Sequence, residues 1–149
     1  MGRRRPLNLV FGASGYIGGH LVPYLLAGGK RVRAVARDAA SLDRPGWDAV
    51  ERMSADALEP DTLDAVLQGV DTAYYLVHSM AAGADFGRLD LECADNFAAA
   101  AERAGGRRIV YLGGLANQDE DLSPHLRSRR EVGRILASGA TPTTELQAA

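Results

Sequence analysis

Apolar residues along this chain keep two rhythms, and the switches between them mark out its elements. Leu7 to Phe11 is a short unbroken apolar run that stops at Gly12, after which Ile17, Leu21, Tyr24 and Leu25 recur at helical spacing. Gly28 and Gly29 can end that helix in a left-handed conformation, and Arg31 to Ala36 alternates as a second strand. Pro23 lies beyond the first helical turn, where a lost hydrogen bond costs about 3 kcal/mol unless a bend absorbs it, so a local kink is expected.

The alternation continues downstream. Ala39 to Asp48 reads as a loop, and Val50 to Ala55 as a third strand that delivers Asp56 at its carboxyl end. Pro60 suits the first position of a helix running to Gly69. Asp71 to Val77 is dense in apolar and aromatic residues, as expected of a central parallel strand buried on both faces. Phe86 to Ala104 carries Leu89, Cys93, Phe97 and Ala101 on one helical stripe and ends at Gly105, after which Arg108 to Leu112 resumes a strand. Ser123 before Pro124 signals a helix start, with Leu126, Val132, Ile135 and Leu136 as its apolar face and Gly139 as its stop.

Strands alternating with helices over short connections predict an α/β, Rossmann-type doubly wound parallel sheet in the order 3-2-1-4-5. Beyond Pro142, Thr143 to Leu146 opens a sixth strand that is only begun when the sequence stops at Ala149. On that reading residues 1–149 form a single domain whose substrate-binding portion lies downstream. The fifth strand is then an exposed edge, open to a second copy in a homodimer.

Composition narrows the partners. At 149 residues and 46% apolar content the chain suffices for one packed domain. A formal net charge of -2 without a basic stripe argues against nucleic acid and for a small-molecule ligand. No apolar run reaches the roughly 18 to 20 residues of a membrane span, and a cytoplasmic location is expected. Cys93 has no second cysteine to pair with and suits a small buried position better than a catalytic one. No metal-ligand spacing occurs.

The chemistry is carried by Gly12, Gly15 and Gly18, a G-x-x-G-x-x-G placed between the first strand and the first helix. Each has a distinct use: Gly12 permits the tight turn, Gly15 lets the backbone approach a diphosphate, and Gly18 lets the helix lie close to the sheet. The unpaired amides at the helix start favour an anion by about 0.3 to 2 kcal/mol before direct hydrogen bonds are counted, and Ser14 can add a hydroxyl. Strand before, helix after and a second strand on schedule together point to a nicotinamide dinucleotide. The second strand ends in Arg37, where an acidic side chain would otherwise bind both ribose hydroxyls. A guanidinium there suits the 2'-phosphate of NADP(H); Asp38, next to it, keeps NAD(H) open. Arg37 as a solvated strand end, and Asp56 as a helix-entry residue instead of an adenine partner, are the plain alternatives.

The chain resembles the short-chain dehydrogenase/reductase superfamily, specifically its atypical, NmrA-like and epimerase-like NAD(P)H-binding members. The likeness rests on VFGASGYIGGHL at Val10 to Leu21, YYLVHSM at Tyr74 to Met80, RIVYLGGL at Arg108 to Leu115 and LSPHLRSRREVGRIL at Leu122 to Leu136. The first block marks the superfamily, and the others are similar to one bacterial subgroup. The resemblance implies a cofactor across the carboxyl ends of the strands, touching Gly12, Ser14, Gly15, Tyr16, Ile17, Gly18, Arg37, Asp56, Ala57, Val77 and His78, with Leu112 and Gly113 near the nicotinamide. It also implies an oxidoreductase or nucleoside-diphosphate-sugar-epimerase-like activity.

The superfamily's reductases place a serine after the fifth strand and a tyrosine and lysine four apart on the next helix. Here Gly113 and Gly114 stand at the serine's place, and His125 and Arg129 are four apart on one helix face. A histidine can move a proton near neutral pH and an arginine can hold ribose hydroxyls, which makes these two the candidate catalytic residues. Arg127, Arg129, Arg130 and Glu131 also suit a solvated face with intrahelical ion pairs. His78 can serve the substrate side or simply bond to backbone; His20 reads as surface, and Tyr74, Tyr75 and Tyr111 as core. Two functions stay open: an NADP-dependent oxidoreductase of unidentified substrate, and a non-catalytic module that binds NADP(H) for structure or redox sensing.

Overall fold

Leu7–Phe11 is buried at all five positions and forms β1, from which the sheet extends both ways. The computed structural model describes residues 2–78, 83–115 and 121–148; Ser79 and Met80 of the YYLVHSM block lie outside them. Flanking β1 are β2 (Arg31–Ala36), β3 (Glu51–Ser54), β4 (Thr72–Tyr75), β5 (Arg108–Gly114) and β6 (Thr143–Ala148), all parallel, in the order β3-β2-β1-β4-β5-β6. This is the expected doubly wound sheet, and β2 has the expected bounds.

The period of two along the strands divides the core. Leu7, Leu9 and Phe11 face a layer built from α2 (Leu63–Leu67), α3 (Phe86–Ala104) and α4 (Pro124–Ser138). Val10, Ala34 and Ala36 face α1 (Tyr16–Ala27), joined there by Leu42 and Trp47. Phe97 of α3 packs its ring 5.0 Å from Phe11 and 4.8 Å from Tyr75, which places Tyr75 in the core as expected. Cys93 is buried on the same stripe. Arg33, on the α2-facing side of β2 toward the strand start, is buried and held by the carbonyls of Val66 and Gln68 at 2.6 and 2.9 Å and by Glu51 at 3.0 Å.

Some boundaries differ from expectation. The helix expected from Pro60 to Gly69 is a 3-10 turn, Pro60–Thr62, followed by the short α2. Thr62 is the cause: its hydroxyl donates to the carbonyls of Asp56 and Glu59 and accepts from the Asp56 amide, closing a tight local loop. The strand expected over Asp71 to Val77 is only Thr72–Tyr75, because β1 ends at Phe11, its partner for Tyr75. Leu76, Val77 and His78 therefore leave the sheet. α1 continues through Pro23 to Ala27. α3 has the expected bounds, and Ser123 caps α4 by accepting from the Leu126 amide at 3.3 Å.

The sixth strand is more than begun. Thr143–Ala148 pairs with β5 in unbroken register from Ile109 to Gly114, so β5 is an interior strand and β6 is the edge. The route to a homodimer through an open β5 edge is thereby closed.

Candidate functional site

Where the sheet order reverses, with β2 on one side of β1 and β4 on the other, the carboxyl ends of the strands open into a cavity of about 380 Å³. This lies within the roughly 300–1,000 Å³ typical of small-molecule sites. Its walls come from the glycine turn, the ends of β2 and β3, the segment after β4, and Leu89 and Cys93 of α3.

The turn is built for close backbone approach. Gly12 has φ +96°, and a Cβ there would meet the Leu76 carbonyl oxygen at 2.9 Å; the amides of Gly12 and Ala13 both donate to the Val35 carbonyl, at 2.9 and 3.0 Å. Gly18 presses α1 onto the turn, since a Cβ would lie 2.6 Å from the Ala13 Cα. Gly15, by contrast, lines the cavity with open space beside it: the nearest atom to its virtual Cβ is the Gly12 carbonyl oxygen at 3.5 Å. The first-turn amides of α1, on Tyr16, Ile17 and Gly18, have no acceptor one turn back within the helix. No side chain caps them and no acid stands in that turn. Bare glycine backbone lining the cavity at Gly12 and Gly15, with uncapped amides at the helix start that follows, fits a diphosphate.

At the far wall, Arg37 is exposed and, among the described residues, in no ion pair. Its neighbour Asp38 instead turns into its own loop, accepting from the Ala40 amide at 2.9 Å. Asp56 does the same with the Leu58 amide at 2.9 Å while lining the cavity. Arg44, which sequence reasoning missed, reaches back from the loop after β2, donates to the Ser14 carbonyl at 2.7 Å, and lies over the Trp47 ring at 5.1 Å.

His78 lines both the cavity and a small adjoining cleft shared with Asp90, His125 and Arg129. Asp90, buried on α3, accepts from the Ser128 hydroxyl of α4 at 3.0 Å. The Tyr111 hydroxyl donates to the Arg129 carbonyl at 3.1 Å, and His125 stacks on Phe86 with ring centroids 4.3 Å apart. His78 keeps an exposed edge, yet surrounding protein lowers its pKa by desolvation and the Arg129 charge lowers it further, with Asp90 opposing. Burial raises the Tyr111 and Tyr75 hydroxyls well above their ordinary range, so neither is set up as an acid near neutral pH.

Residues 12–148 match the NAD(P)H-binding family. The chain belongs to it. The NAD(P)H-binding chain is 32% identical over 144 residues to the ceramide reductase of Caulobacter vibrioides, a match covering 93% of this chain and 44% of that one. It is 31% identical over 131 residues to cinnamoyl-CoA reductase 1 of Oryza sativa subsp. japonica, covering 80% and 38%. It thus spans less than half the length of the curated relatives it matches. The Citrobacter triphenylmethane reductase, a structure complexed with NADP(H), shares the fold with TM-score 0.81 at 21% identity, covering 97% of this chain and 49% of that one. The family's fold, glycine turn and relatives are those of an atypical short-chain dehydrogenase/reductase, and the cofactor is a nicotinamide dinucleotide. Among the described residues no helix is long and apolar enough to cross a membrane.

In this NAD(P)H-binding chain the cavity brings together Gly12, Ser14, Gly15, Arg37, Asp56, Ala57, Val77 and His78. Tyr16 and Ile17 stand outside its lining with exposed side chains, Gly18 is buried behind the turn, and Leu112 and Gly113 lie within β5. His125 and Arg129 meet at the cleft together with His78. Among the described residues, the α4 charges form one ion pair, Glu131 with Arg134 at 3.1 Å. Asp90 was legible as a candidate only through its place three, four and seven residues before Cys93, Ala94 and Phe97, on a stripe that is otherwise apolar.

Proposed function

We propose that this chain is the cofactor-holding part of an NADP(H)-dependent oxidoreductase acting on a carbonyl- or quinone-type small molecule. The observation that carries the reading is Arg37, free of described ion pairs, on the same cavity as the bare turn at Gly12 and Gly15 while Asp38 is engaged elsewhere. Gly12 to Gly18 hold the diphosphate, Arg37 the 2'-phosphate, and Asp56 with Ala57 the adenine side. Leu112 and Gly113, toward the end of β5, are assigned to the nicotinamide side.

Bound NADPH supplies a hydride. The chain's own part is to receive the oxygen that gains charge and to handle its proton. Arg129 holds that side of the site positive, and His125, exposed at the cleft, is the residue that moves the proton. The names of both curated relatives are those of reductases, which favours turnover over a non-catalytic module. Those relatives are more than twice as long as their matched region here, and the substrate-binding portion is assigned to sequence of that kind.

The test is a fluorescence titration with NADPH and with NADH, repeated for Arg37→Ala. Charge-assisted bonds worth about 1.5–3 kcal/mol give a preference for NADPH of roughly ten- to a hundredfold, most of it lost in the variant. Equal affinities in the unaltered protein defeat the Arg37 assignment.

A further inference from the structure

A parallel sheet collects every strand start at one end, and here it collects basic residues with them. Arg3 to Arg5 lead into β1, Lys30 and Arg31 lie at the start of β2, and Arg107 and Arg108 at the start of β5. Backbone and side-chain contacts knit these segments into one surface. Arg31 Nη1 donates to the Arg5 carbonyl at 3.1 Å, and an Arg4 guanidinium nitrogen lies 3.9 Å from the virtual Cβ of Gly69. The Asp71 carbonyl accepts the amides of both Arg107 and Arg108, while its carboxylate accepts the Leu7 amide at 2.8 Å.

Glu51 and Asp71 at this end are committed. Glu51 pairs with Arg33 at 3.0 Å, and Asp71 holds Leu7 and approaches Arg107 at 3.7 Å; Asp48 and Glu102 stand at the same end. Arg3, Arg4, Arg5, Lys30 and Arg108 are exposed and form no ion pair with a described residue. Because the whole chain is at -2, this basic pole implies a compensating excess of acid elsewhere, and a molecule polarised along the strand direction.

Helices also end here, and cations beside helix C-termini are favoured for that reason alone. That accounts for Lys30 after α1 and Arg107 after α3. It does not account for Arg3 to Arg5, which follow no helix, nor for Arg31 and Arg108, which sit in strands.

We propose that this end of the sheet docks onto an anionic lipid bilayer. A cluster of this size is what attracts a protein to acidic headgroups, and Tyr24, 77% exposed in the last turn of α1, offers an amphipathic ring of the kind that settles at a membrane interface. The cofactor cavity lies at the opposite ends of the strands and stays open to solvent in that orientation. Nucleic acid fits less well, since one tyrosine is not a stacking platform.

The experiment is co-sedimentation of the untagged protein with vesicles of phosphatidylcholine alone or mixed with phosphatidylserine, at low and high salt. Binding is expected with the anionic vesicles only, with release on going from about 0.05 to about 0.5 M salt. Each basic residue near such a surface changes affinity roughly fivefold. The variant Arg3→Ser/Arg4→Ser/Arg5→Ser, whose three positions lie outside the strands and helices, should therefore bind on the order of a hundredfold more weakly, with unchanged thermal melting and NADPH titration. A second variant, Lys30→Ser/Arg108→Ser, should weaken binding in the same sense. The proposal is overturned if anionic vesicles fail to bring the protein down at low salt, or if the triple variant binds as well as the parent. Tighter binding to duplex DNA than to vesicles at equal salt also overturns it and makes nucleic acid the partner.

Discussion

Asp90 on α3 and Ser128 on α4 are joined by a 3.0 Å hydrogen bond between two buried side chains, and Asp90 goes on to line the cleft that His78 shares with the cofactor cavity. A carboxylate at 8% exposure loses most of its hydration and depends on donors of this kind. Hydrogen bonds to charged groups contribute about 1.5–3 kcal/mol. Ser128→Ala is therefore expected to lower the free energy of unfolding by about 1–3 kcal/mol in urea titrations. A double-mutant cycle with Asp90→Ala should show coupling of the two costs, and strict additivity would mean the bond contributes nothing of its own.

His78 predicts a pH dependence with a definite sign. Its folded pKa lies below the ordinary value, first through desolvation and then through Arg129, whereas in the unfolded chain it titrates near about 6.5. In the window between the two, the unfolded state binds a proton that the folded state does not, so stability falls as pH drops below about 7. His78→Gln should remove that part of the decline. In NMR titrations of the imidazole, Arg129→Gln should raise the His78 pKa toward its ordinary value and Asp90→Asn should lower it further. A His78 resonance that titrates identically in the Arg129 variant would rule out Arg129 as a source of the shift.

How much of this was legible in the sequence follows from which features are local. The bounds of β2 and α3 could be read in advance because their own side chains carry the period that buries them. β6 was under-read because all but one of its residues are exposed, so its length is set by the free edge of β5 and not by a pattern of its own. α2 was over-read because Thr62 bonds back to Asp56, a contact that periodicity does not show. The glycine turn was plain since its constraints are on the backbone itself. Asp90 with Ser128, 38 residues apart, becomes a pair only once α3 and α4 are packed. The basic pole was invisible for a related reason: net charge averages over the chain what the sheet gathers at one end.

Arg33 should prove a structural residue of the site's foundation. Its guanidinium satisfies two carbonyls at the C-terminal end of α2 and pairs with Glu51 on β3. Removing it leaves Val66 and Gln68 carbonyls without that donor, so Arg33→Ala is expected to cost about 1–3 kcal/mol by chemical denaturation. Glu51→Gln should cost much less, as its carboxylate is half exposed and solvent replaces the lost charge. Similar costs for the two would place the stabilisation in the ion pair and not in the carbonyl contacts.

Gly15 and Gly18 separate folding from binding within one turn. An added methyl at Gly18 meets backbone, at 2.6 Å from the Ala13 Cα and 2.7 Å from the Gly12 carbonyl oxygen, and neither atom is free to swing aside. Gly18→Ala should therefore destabilise the fold by about 1–3 kcal/mol or more and weaken dinucleotide binding as a consequence. At Gly15 the backbone is extended, with φ -75° and ψ 177°, and the nearest neighbour is at an ordinary 3.5 Å. The same substitution there restricts the unfolded chain without strain, which is worth about 0.4–1 kcal/mol in favour of folding, so Gly15→Ala should melt at or above the parent temperature. Its methyl nevertheless occupies cavity space assigned to the diphosphate, and affinity for NADPH should fall at least about tenfold, the equivalent of roughly 1.4 kcal/mol. A Gly15→Ala protein that melts normally and binds NADPH as tightly as the parent would show that the phosphates do not rest on this turn.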